Sequence, residues 1–373
     1  MSTLEDVRVV VGLLLLALAL PAAASARSKD YLWQCVAITR EDARYSCYAR
    51  LLLERVERSG DPARELPRID RETREMGGEV AGSCHALMHE VGRRYARAHH
   101  VTLSTLRRYV PRSNDPTCSA GFGMGLVMYL GPQLRSSRNA LAPCLRLATR
   151  FREYTCIHGV GHALLRGYHG AMRPAIDTCR KLPRYGQDCA QGVFHDYWIS
   201  LRGADGTTKR TSGLTSPRLV CDGRYGYVRP CWYRYFIEQP LGPAIGNARD
   251  IRRACADLPT LQHQGCVMGA SLAASTDPFE QMRICARLGS DGASCVHGVS
   301  VPAVSHEPRR QRELIRRCDL FGRDERLGCY AWLGRALAVV TDGRFGCVQL
   351  RRAARRACVA GTRRTDDALV AFA

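Results

Sequence analysis

Eighteen cysteines constrain this chain more than any other feature, because sixteen of them fall in eight short-spaced pairs. The pairs are Cys35 with Cys47, Cys144 with Cys156, Cys179 with Cys189, Cys221 with Cys231, Cys255 with Cys266, Cys285 with Cys295, Cys318 with Cys329 and Cys347 with Cys358. An even count at such regular spacing reads as a disulfide framework, formed in an oxidising compartment. Cys84 and Cys118 remain, and by elimination they pair with each other. Zinc knuckles use tighter CxxC-type pairs, and the sequence has none.

The pairs also mark a repeat. From Cys144 onward the first members recur at roughly thirty to forty residues, the range of two-helix repeat units. An amphipathic stretch ends near the first cysteine, as in Met172 to Cys179 or Glu280 to Cys285. A polar turn follows, with Asp188 or Ser294 as expected N-cap, and the second cysteine opens an apolar stretch. The expected fold is therefore all-α: disulfide-stapled helical hairpins in an α-solenoid or superhelical array. Residues 27–140 form an N-terminal helical region and 141–373 the repeat region. Glycine stands three positions beyond the second cysteine at Gly159, Gly192, Gly269, Gly298 and Gly361, and at Gly121 after Cys118. Glycine inside a helix costs up to about 1 kcal/mol against alanine, so its recurrence points to close backbone approach. Arg50, Arg234 and Trp332 break the pattern. The segment from Leu201 to Gly213 reads as an inserted surface loop.

The layout from about Asp30 to Val359 is similar to that of secreted, cysteine-stapled helical repeat proteins of the tetratricopeptide or Sel1-like kind. Their Trp, Leu-Gly-Tyr and Ala-Phe-Pro patterns do not appear in order and the cysteine spacing differs, so no family is assigned. The resemblance implies a concave face that binds peptides or proteins.

Export is also legible at the amino terminus. Val9 to Leu20 is an apolar run, followed by Pro21 and the small residues Ala22 to Ala26, which reads as a signal peptide over 1–26. An uncleaved anchor is the alternative, since Glu5 and Asp6 accompany Arg8. The expected location is extracellular or in the cell envelope. The net charge of +20 favours anionic partners, although the arginines are scattered as on solvated helix faces. An envelope protein, a peptide or an anionic polymer is the expected partner of a binding scaffold. Nucleic acid is not expected, and membrane contact is limited to the N-terminal segment or surface charge.

The histidines carry the chemical signal. His85 with His89, and His158 with His162, stand four apart and so share one helix face. His195 lies six beyond Cys189, the place His162 occupies relative to Cys156, and His297 lies two beyond Cys295, the place of His158. Equivalent positions in stacked repeats line one surface. His158, His162 and His195 are therefore the expected metal core, His85 and His89 the next ligands and His297 an outer one. Zinc, iron or copper suits such imidazoles. Glu90, six beyond Cys84, is the candidate general base of a metal-dependent enzyme, the alternative to the scaffold. The competing account has the ring nitrogens merely hydrogen-bonding across packed helices. His85-Ala-Leu-Met-His89-Glu90 is not the HExxH of zinc proteases, and there is no GxSxG, CxxCH or CxxC.

Overall fold

The computed structural model describes residues 31–113, 116–145, 147, 149–182, 185–202, 216–238, 245–306, 310–341 and 347–363. The expected signal peptide over 1–26 and most of the expected inserted loop lie outside the described residues. Among those described there is no strand, and no helix is long and apolar enough to cross a membrane.

Local chemistry sets the helix ends. Helix α1 (Glu41–Ser59) opens on Glu41 and Asp42, which favour its positive end, and stops at Gly60 in the left-handed region at φ 64°. Helix α2 (Pro62–Met76) starts on Pro62, with the Asp61 side chain accepting from the Arg64 N–H. Helices α3 (Gly78–Ala98), α4 (Cys118–Tyr129) and α5 (Arg150–Gly167) follow, the last capped by Thr149. The hairpin α6 (Met172–Arg180) and α7 (Gly186–Arg202) is followed by α8 (Val228–Glu238). Then come α9 (Ala248–Cys255) with α10 (Thr260–Ala273), and α11 (Pro278–Ala286) with α12 (Gly292–His306). The last are α13 (Gln311–Arg316), α14 (Arg323–Val340) and α15 (Arg352–Thr362). Helices α7 and α12 start two residues before the expected caps, so Asp188 lies in the first turn of α7, where a carboxylate still favours the helix dipole.

Two kinds of helix result. Short α9 is amphipathic, burying Ala248, Ile251 and Cys255 while its arginines face out. Helix α4 is buried along eleven of its twelve residues, as a helix apolar all round must be. The second helix of each unit packs on the next in chain order: α3 on α4, then α5, α7, α8, α10, α12, α14 and finally the more exposed α15. Their apolar core is continuous from Leu32 to Cys358.

All eighteen cysteines are paired, in the eight short-range bridges and Cys84–Cys118. The recurrent glycines lie at helix crossings. A methyl group at Gly192 would overlap the His158 carbonyl, and one at Gly161 the Cys189 carbonyl, so α5 and α7 meet backbone to backbone. Gly121 meets the His85 carbonyl, Gly269 that of Tyr233, Gly298 that of Met268 and Gly361 that of Ala331; a Cβ on Gly159 would stand 3.1 Å from the Met124 Cα.

Candidate metal centre

The glycine crossings decide which side chains meet. Gly121 and Gly125 of α4 press on the carbonyls of His85 and His89, and Gly192 of α7 presses on that of His158. Helices this close bring the side chains flanking each crossing together. The result is a core of five imidazoles: His85 and His89 from α3, His158 and His162 from α5, and His195 from α7. None of the five is more than 6% exposed.

The rings are spaced as ligands are. An imidazole nitrogen about 2.1 Å from an ion puts its ring centroid about 3.2 Å away, so two rings at tetrahedral or right angles stand about 4.5–5.2 Å apart. The observed centroid separations are 5.0 Å for His158–His162, 4.6 Å for His162–His195 and 5.2 Å for His158–His195. One ligand atom from each of these three lies within 4.8 Å of the others, so the cluster can coordinate a metal. His158 Nε2 and His195 Nδ1 face each other at 2.9 Å. His89 links this trio to His85: its ring is 5.1 Å from that of His162, and its Nε2 is 3.2 Å from His85 Nε2.

Partners outside the cluster fix how the rings point. His85 Nδ1–H donates to the Pro116 carbonyl at 2.8 Å, which leaves the lone pair on Nε2. His162 Nδ1–H donates to Asp196 Oδ1 at 3.3 Å, and Arg166 Nη2 holds the same oxygen at 2.8 Å. His162 Nε2 is buried with no hydrogen-bond partner among the described residues, and so is His158 Nδ1. His195 Nε2–H faces Glu238 Oε1 at 3.1 Å. Glu238 in turn accepts from Arg234 at 3.4 Å, and Arg234 also donates to Gln191 Oε1, which accepts from the Tyr154 hydroxyl. A carboxylate behind a histidine is the support that ligating imidazoles usually have.

Burial disfavours the charged form of these imidazoles. Burial pushes His85 down to about 4, against a partial opposing pull from the Pro116 carbonyl. Burial, with the neighbouring imidazoles and Arg234 adding to it, holds His89, His158 and His195 well below the ordinary histidine range. His162 is lowered less clearly, because burial is opposed by Asp196. Burial alone would raise Asp196, but the Arg166 charge and His162 outweigh it and bring the carboxyl to about 2. The centre therefore offers neutral imidazoles backed by a fixed anion, the state in which histidine binds metal.

Two expected site residues do not join the cluster. Glu90 is one residue past His89, about 100° further round the helix, and its carboxylate is held by Arg93 and by Arg94. Helix α3 is shifted by one position relative to α5: His85 and His89 lie one and five beyond Cys84, not two and six. His297 is buried on α12, stacked on Trp332 with centroids 3.6 Å apart. Outside the core, His263 bridges the Cys255 carbonyl and Asp291.

Sequence reading missed Asp196, Arg166, Glu238 and Tyr154, and treated Arg234 only as a break in the glycine pattern. One signal was present. Asp196 and Glu238 each lie seven beyond the second cysteine of their units, carboxylates at equivalent positions. No family model, no curated protein and no solved structure matches this chain.

Proposed function

We propose that this protein binds a late first-row divalent metal through His158, His162 and His195, and that it works in an oxidising compartment outside the cytoplasm. The convergence of three buried imidazoles with ligand atoms within 4.8 Å carries the reading. The carboxylates behind His162 and His195 support it, as does the buried His162 Nε2 that lacks a partner among the described residues. The pairing of every cysteine supports the compartment. The packing of successive buried helices in chain order supports a superhelical array.

The finer form of the proposal is a metal-dependent enzyme. Three protein ligands leave one position of a tetrahedral ion to water, the ligand count of catalytic zinc sites, and a bound zinc brings such a water toward a pKa of about 7. Asp196 and Glu238 serve as positioning residues: they hold one ring nitrogen each and turn the other toward the ion. Glu90, committed to two arginines, takes no part. Zinc, iron and copper all accept imidazole, and zinc is the probe of choice for a test.

Elemental analysis of correctly oxidised protein decides the matter, side by side with a His158→Ala/His162→Ala variant. We expect close to stoichiometric metal in the parent, lost in the variant while far-ultraviolet circular dichroism stays helical. A parent that neither carries metal nor takes up added zinc, copper or iron would return these residues to packing. The second reading, an exported scaffold for an envelope protein or an anionic polymer, is favoured by the net charge of +20. Its binding to a polyphosphate or teichoic-acid-like polymer would weaken steeply with salt, since exposed charges are screened over about 8 Å at physiological ionic strength.

A further inference from the structure

The five imidazoles are more than one ion needs, and their spacing divides them. On a single ion, the 6.4 Å separation of His85 and His195 would put these two rings on opposite sides. His162, 4.6 Å from His195, would then stand about 4.4 Å from His85. Among the described residues, the ring contacts of His85 are instead with His89 and His195. The cluster that can share one ion is His158, His162 and His195, without the α3 pair.

That pair has the marks of a second position. His85 Nε2 and His89 Nε2 face each other at 3.2 Å, which two ligands at about 2.1 Å subtend at about 100°. Pro116 takes the proton-bearing Nδ1 of His85, so a lone pair points at His89. Both rings are buried, His85 at 6% and His89 at 3% exposure. His89 also stands 5.1 Å from His162, which places the pair against the first cluster.

We infer that His85 and His89 hold a second divalent ion of the same class, beside the one on His158, His162 and His195, with solvent oxygen completing its coordination. The inference rests on the metal-binding reading above. Its structural rival is a simple N–H···N hydrogen bond between the two imidazoles.

Stoichiometry separates them. Full-length oxidised protein is stripped with a chelator, equilibrated with excess zinc, desalted and analysed for zinc per chain. We expect two ions in the parent and one in a His85→Gln/His89→Gln variant whose disulfide map and helix content match the parent. One ion in the parent would overturn the second site and leave the first standing, whereas none would overturn both. Two ions retained in the glutamine variant would place the second one elsewhere and equally sink the proposal. If that variant does not fold, a parent count of one still overturns the second site, and a parent count of two is tested with His89→Gln alone, for which one ion supports the proposal and two overturn it.

Discussion

Acidifying the metal-free protein tests the buried imidazoles without reference to any ligand. A histidine whose folded value is depressed stays neutral in the core while the unfolded chain takes up a proton at about 6.5. The unfolded state then binds more protons below that value, so stability falls as pH falls. It is lost from about 6.5 downward, until the folded value is reached. For His85, held at about 4, the full loss is about 3 kcal/mol. At about pH 5.5 His85 alone costs about 1.4 kcal/mol, and His89, His158, His162 and His195, all lowered by burial, act in the same direction. Two other groups do not mask the effect. Asp196 is lowered to about 2, so its contribution persists above about 3.8 and fades only in stronger acid. His263 is partly exposed and raised by Asp291 against burial, so acid favours its folded form, one group opposing five. Guanidinium unfolding with disulfides intact, in chelator, at about pH 7.5, 6.5 and 5.5 would measure the slope. We expect a loss greater than the His85 share of about 1.4 kcal/mol across that range, made smaller in His89→Gln. Stability that is flat or rises on acidification would refute the neutral core.

Three shorter predictions follow from individual contacts. Asp196→Asn, which weakens the acceptor behind His162 Nδ1–H, should lower zinc affinity roughly 10- to 100-fold in a chelator competition while leaving the helix content unchanged. Gly192→Ala should destabilise the fold by at least about 1–3 kcal/mol in chemical denaturation, because its methyl meets the His158 carbonyl and neither backbone can yield; Gly246→Ala, where nothing lies within 4 Å, is the neutral control. Removing the Cys179–Cys189 bridge, with a sequence separation of 10, should cost roughly 3 kcal/mol by the chain-entropy estimate, read as a lowered unfolding midpoint in a double Ala variant.

The framework was legible because it is local. Each short pair closes a hairpin of its own, so spacing along the chain is also proximity in space, and Cys84–Cys118 then followed by elimination. The glycines were legible for a similar reason: a helix former would serve better everywhere except where another backbone sits, and Gly192 against the His158 carbonyl is that case. The supporting shell was not legible. Whether Glu238 meets His195, or Asp196 meets His162, depends on the offset between two packed helices, which no single helix specifies. The same offset moved Glu90 out of the centre while His85 and His89 entered it. Arg234 and Trp332 looked like faults in the glycine rule. In the structure Arg234 is fully buried and holds Glu238, while Trp332 stacks on His297, and the close backbone contact is made instead by the facing glycines, Gly269 on the Tyr233 carbonyl and Gly361 on that of Ala331.

The distribution of cost argues that the histidine core is more than filling. Leaving a buried acceptor unsatisfied costs about 1–3 kcal/mol, and well-packed apolar side chains in the same places would remove that cost. The glycines add to it, at up to about 1 kcal/mol each in helix propensity. Glycine is concentrated in the buried helices, although the amphipathic α15 also carries Gly361, which meets the Ala331 carbonyl. The amphipathic helices α1, α2, α6, α9, α11 and α13 contain no glycine, whereas α3, α4, α5 and α7, which form or frame the imidazole core, contain several. Helix α8 has none and supplies Arg234 and Glu238 instead. The glycine crossings on the His85, His89 and His158 carbonyls recur at Tyr233, Met268 and Ala331, so the cost particular to this core is that of the buried imidazole nitrogens His158 Nδ1 and His162 Nε2, which have no partner among the described residues. A ligand that binds only the folded state offsets such costs by mass action, and an ion held by several neutral imidazoles would supply that binding energy. The disulfides then have a second consequence. Because they restrict the unfolded chain, the short-range bridges favour the hairpins whether or not an ion is bound, so an ion bound here would spend less of its affinity on ordering the helices.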